Sequence, residues 1–97
     1  MYITFLTFAE NRALAGEHMA AHNQWIARGF ADGVFLCVGS LRPAFGGAVL
    51  AHGESRAAYD ARIKADPFVV HGVVSAQTHE VNPARTIDAL RFLTDAA

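Results

Sequence analysis

Apolar and polar positions fall into two periods along this chain, and the change between them marks the first elements. Over residues 2–8 the period is two, with Tyr2, Thr4, Leu6 and Phe8 on one face and Ile3, Phe5 and Thr7 on the other, which predicts a strand. Both faces are largely apolar, so this strand is expected to be central and covered on both sides. From Leu14 to Phe30 the pattern is helical. At about 100° per residue, Leu14, Trp25, His18, His22, Ala15, Ile26, Met19 and Phe30 follow one another around one side. Glu17, Asn23, Gln24 and Arg28 lie outside that stripe. Asn11 is the expected N-cap, and Gly16 disfavours the first turn, which moves the expected start toward it. Asp32-Gly33 closes the helix with a turn.

The continuous apolar run Val34–Val38 predicts a second, buried strand, closed by residues 39–43, and Ala48–His52 predicts a third. Together they read as a hairpin. Ser55 is a suitable N-cap for a second helix over Arg56–Ala65, which Asp66-Pro67 stops, because the residue before a proline is pushed out of the α region. Phe68–Gly72 is expected to be a connector, Val73–Val81 a fourth strand ended by Asn82-Pro83, and Ala84–Ala97 a helical tail built on Ile87, Leu90, Phe92 and Leu93. The order β-α-β-β-α-β predicts an α+β, ferredoxin-like fold: a four-stranded antiparallel sheet with both helices on one face. The other sheet face carries apolar residues with nothing to cover them, which predicts a two-fold homodimer.

With 97 residues the chain is expected to be one domain, a core over residues 1–83 followed by the tail. Its apolar content of 53% excludes a disordered chain. A formal net charge of −1 without any basic run argues against a nucleic-acid partner. No apolar run approaches the roughly 20 residues that span a membrane. No cationic segment precedes the first apolar run, so no signal peptide is expected. The single Cys37 permits no intrachain disulfide and fits a reducing, cytoplasmic setting. Cys37 itself reads as an inert core thiol, and Trp25, Phe30, Phe35, Phe45 and Phe68 read as core and pocket wall.

His22 carries the candidate chemistry. It lies near the centre of the apolar stripe, between Trp25 and Ile26, and an ionisable group aimed at an apolar region needs a partner. The plain reading is a core histidine held by one hydrogen bond. His18 and His22 also stand four apart, the spacing of a two-histidine metal pair, but without the glutamate of an H-E-x-x-H motif; no metal is assigned. His71 and His79 could reach a pocket from the last strand. Ser40 and Arg42, beyond the second strand, could hydrogen-bond a substrate and hold a carboxylate or phenolate, respectively. No nucleophile elbow surrounds Ser40. Asp66, taken alone, is a helix-stop Asp-Pro.

Together, the strand at the start of the chain, His22 on the first helix, Gly33, Gly39-Ser40, Asp66-Pro67-Phe68, Gly72-Val73 and Val81-Asn82-Pro83 make the chain resemble the YCII (YciI-like) family of dimeric α+β barrels. The resemblance covers most of the chain. It departs in a short loop between the second and third strands and a longer segment after Pro83. It implies a His–carboxylate pair at the mouth of a pocket near a dimer interface, carried over to His22 and Asp66. It also implies lyase or dehydrohalogenase chemistry on hydroxylated rings, which some members perform. The expectation is therefore a cofactor-free acid–base enzyme. His22 would transfer the proton and Asp66 would orient it or serve as the second acid/base. Ser40, Arg42, Trp25 and Phe68 would contact a small apolar or aromatic ring. Isomerase or monooxygenase chemistry is also compatible with the wider superfamily. The alternative is a non-catalytic dimer that binds a small ligand, with His22 and Asp66 a structural pair.

Overall fold

A computed structural model describes residues 1–94. Strands β1 (Tyr2–Phe8), β2 (Phe35–Leu41), β3 (Gly46–Ala51) and β4 (Val74–Glu80) form one antiparallel sheet in the order β2-β3-β1-β4. Helices α1 (Ala15–Ala31) and α2 (Arg56–Lys64) and a one-turn helix, α3 (Pro67–Val70), accompany it. This is the α+β, ferredoxin-like arrangement that the sequence pattern predicts. β1 is central, and its alternation is visible in its burial: Tyr2, Thr4 and Leu6 are buried, whereas Ile3 and Phe5 are half-buried. The core lies on the buried side, where Tyr2, Leu6, Phe35, Val49 and Ala51 meet Tyr59 and Ile63 of α2 and Phe68 of α3.

Local chemistry explains the boundaries. A 3-10 turn over Arg12–Leu14 precedes α1, and Asn11 does not cap it: its amide donates to the His71 carbonyl at 3.0 Å instead. Ser55 caps α2, accepting from the Ala58 N–H at 3.2 Å. The expected connector after Pro67 is helical, because Asp66 caps it by accepting from the Phe68 N–H. α1 rests on β2 through Gly29, where a Cβ would fall 2.1 Å from the Phe35 ring. Gly16 meets no such neighbour. Gly16→Ala is therefore expected to stabilise the protein by about 0.5–1 kcal/mol through propensity alone, readable as a rise of a few degrees in Tm.

Three further expectations are corrected. Cys37 is exposed, not a core thiol. A bulge at Leu36 shifts the register, so that Phe35 stands opposite Ala51 on the buried side while Cys37 stands opposite Leu50 on the other. Phe30 and Phe45 are 46% and 57% exposed, so neither is core. The segment after Pro83 runs without regular structure to a 3-10 helix over Asp88–Leu93, of which only Leu93 is buried. The remainder of the expected tail, residues 95–97, lies outside the described residues. Among the described residues no helix is long and apolar enough to cross a membrane.

Two buried tyrosines stack in the core, Tyr2 on Tyr59, with ring centroids 4.5 Å apart. The Tyr59 hydroxyl bonds Thr4 Oγ1 at 2.7 Å, and burial raises its pKa above the usual 10. The folded state thus holds that proton more tightly than the unfolded chain. The associated stability is full below about pH 10 and is lost as pH rises through the folded-state value. Tyr59→Phe is expected to flatten the fall of Tm between about pH 9 and 11 relative to the parent.

Candidate active site

The side chains that meet at the candidate site come from α1, the α2–α3 junction and the ends of β2 and β3. His22 lies two turns into α1, on the face that packs against α3. Its ring lies flat on Phe68, with centroids 3.9 Å apart and planes 3° apart, and Trp25 packs against it at 5.8 Å. Its Nδ1 is 2.7 Å from Asp66 Oδ1. Asp66 is fully buried, while the His22 side chain is 13% exposed. The carboxylate is fixed by its place in the chain: Pro67 sets the backbone, and Oδ1 also accepts from the Phe68 N–H at 3.0 Å. Asp66 therefore both follows the end of α2, as its Asp-Pro predicts, and begins α3, which the sequence does not signal.

This arrangement selects one tautomer. A carboxylate oxygen only accepts, so in the neutral ring Nδ1 carries the hydrogen toward Asp66 Oδ1 and the lone pair falls on Nε2. Asp66 Oδ2 is buried without a hydrogen-bond partner among the described residues. One face of the carboxyl group is thus committed to holding His22 and the turn, and the other is left uncompensated.

His22 opens onto a cavity of about 300 Å³. Its walls are mainly apolar, with Leu6, Phe8, Met19, Ile26, Val38 and Val74 around Trp25 and Phe68. The polar groups that line it are His22, Asn23 and Ser40. Ser40 stands inside β2, opposite Gly47, where the sequence reading had the strand already ended. Trp25 is held by its indole N–H, which donates to the Arg62 carbonyl at 2.9 Å. Arg62 is in turn clamped by Glu54 and Asp32 at 2.8 and 3.1 Å.

The structure thus gathers His22, Ser40, Trp25 and Phe68 around one cavity, with Asp66 directly behind His22. Arg42 does not line it; it lies in the neighbouring hollow beyond Ser40. Asn23 and Met19 do line it. Asn23 falls outside the apolar stripe of α1, and only its adjacency to His22 could have signalled it. His18 does not share a ligand position with His22, because its ring stacks on His71 at 3.8 Å. His79 faces the opposite side of the sheet, against Phe5.

No family model matches the chain, and no curated protein matches it either. Among solved structures, it resembles 5-chloro-2-hydroxyhydroquinone dehydrochlorinase from Burkholderia phenoliruptrix, determined in complex with 2,5-dihydroxybenzoquinone. The TM-score is 0.67 over 84% of this chain and 93% of that one. The two share a fold. At 13% identity the likeness shows the fold alone.

Proposed function

We propose that this protein is an acid–base enzyme of the YCII type that acts on small hydroxylated rings. The observation that carries the proposal is the 2.7 Å contact between His22 and a fully buried Asp66, at the wall of an apolar cavity of ring size. A structural pair buried in a core would not need to face open space. Asp66 presents His22 as a base through Nε2 and stabilises the imidazolium once it forms. Phe68 and Trp25 supply flat apolar walls, and Ser40 a hydrogen bond to a ring substituent. The dehydrochlorinase of the same fold supports the choice of reaction.

For a halogenated hydroquinone the chemistry balances without a cofactor. His22 takes the proton of a ring hydroxyl and returns it to the halogen-bearing carbon. Halide then leaves with the C–X electron pair while a second hydroxyl proton is lost. The products are a quinone and HX, and the ring supplies its own electrons, so no external oxidant enters. The enzyme is proposed to work as a cytoplasmic homodimer. In support of the dimer, the residues Ile3, Phe5 and Leu50 of the sheet face opposite the core are only half-buried, and none of them belongs to the core that α2 and α3 pack against among the described residues.

The test is chloride release from chlorohydroquinone and from its 2-hydroxy derivative under argon, measured alongside quinone absorbance. The expected result is one chloride per quinone formed. His22→Gln is expected to slow the reaction about 100-fold or more with an unchanged far-UV circular dichroism spectrum. Failure of the parent protein to release chloride, or an unimpaired His22→Gln protein, would remove this reading.

A further inference from the structure

A second hollow, of about 640 Å³, adjoins the cavity of His22. Phe8, Ser40 and Gly46 line both, so the two hollows share a wall at those residues. Among the described residues, the charged residues that line the second hollow are Arg12 and Arg42, and no carboxylate lines it. Neither arginine has an acidic partner among the described residues, whereas Arg56, Arg62 and Arg91 are each paired with carboxylates. Arg12 is also held in place: its guanidinium carbon lies 4.1 Å over the ring of Phe8, the same ring that walls the acid–base cavity. On a chain with a formal net charge of −1, two arginines lining one concavity without acidic partners among the described residues make a local positive field.

From this geometry we infer that Arg12 and Arg42 form an anion subsite, and that among the rings the cavity accepts it prefers those carrying a carboxylate. The ring occupies the cavity of His22, and its carboxylate passes Ser40 to reach the two guanidinium groups. Such a group accepts charge-assisted, bidentate hydrogen bonds that a neutral substituent does not. The inference rests on the proposed use of the His22 cavity and narrows its substrate class. Arg12 lies in a 3-10 turn outside the periodic helix and gives no signal in the sequence; the fold alone brings it to Arg42.

The experiment measures binding of 2,5-dihydroxybenzoate and of neutral 2,5-dihydroxybenzamide by titration calorimetry at low salt. The carboxylate is expected to bind about ten-fold more tightly, with the preference shrinking in about 0.5 M NaCl. The double variant Arg12→Gln/Arg42→Gln is expected to bind both equally, with the affinity for the amide unchanged. Arg28→Gln, which alters an arginine lining neither hollow, is expected to keep the preference. Equal binding of both rings by the parent protein, or a preference that survives the double variant, would overturn the subsite and leave the ring cavity standing. Binding of neither ring would overturn both.

Discussion

Asp66→Ala is expected to lower turnover by about 10⁴-fold and stability by about 2–4 kcal/mol. The rate falls because His22 loses the group that sets its tautomer and stabilises its charged form. Stability falls because Asp66 Oδ1 accepts two hydrogen bonds, from His22 and from the Phe68 N–H, and both donors are left without it. The lost cap costs about 1 kcal/mol and the charge-assisted bond about 1.5–3 kcal/mol. Relief of the unpartnered Oδ2 offsets part of that sum. In a domain of this size the drop corresponds to roughly 10–25 °C in Tm. Asp66→Asn separates the two effects. Its amide oxygen keeps both bonds, so the stability loss is expected to be about 1 kcal/mol, while a neutral amide no longer stabilises an imidazolium and turnover still falls steeply. Thermal melts and chloride release on the same two variants check this. A rate that tracks stability across them would make the pair purely structural.

The largest expected loss of stability lies at Gly46→Ala. At this position φ is +130°, and a Cβ would stand 1.9 Å from the Leu6 carbonyl oxygen. That oxygen belongs to the central strand, bonded to neighbours on both sides, so it has nowhere to move without breaking the ladder. The strained backbone and the overlap act together, and a cost above about 4 kcal/mol is expected. The measurement is soluble yield and urea midpoint: the variant should fail to accumulate as folded protein. A midpoint within experimental error of the parent would show that the β1–β3 contact yields where the backbone register says it cannot.

What could be read without coordinates was what repeats along the chain. The alternation of residues 2–8 and the stripe from Leu14 to Phe30 each contain enough periods to fix a face, so the strand, the helix and the inward aim of His22 were legible. Asp66-Pro67 was legible as a stop but not as a beginning, because a single helical turn is shorter than any periodic window. Residues 34–38 are apolar throughout and hold no alternation to betray a bulge, so the orientation of Cys37 could not be read. Ser40 reads as lying past the end of that strand for a different reason: Gly39 looks like a turn residue, although it stands opposite Ala48 inside the ladder. Arg12 reaches the site through contact with Phe8, and no local spacing encodes such a contact.

The chain contains one tryptophan, and it is Trp25. Its indole walls the cavity, meets the Phe35 ring edge-on at 5.0 Å and lies 5.8 Å from His22. Every photon of indole emission from this protein therefore originates beside the candidate base. A quinone entering the cavity would quench that emission, and charging of the neighbouring imidazole would change its intensity. The molecule thus carries a built-in optical gauge of both occupancy and protonation, one that needs no label and no assay for product.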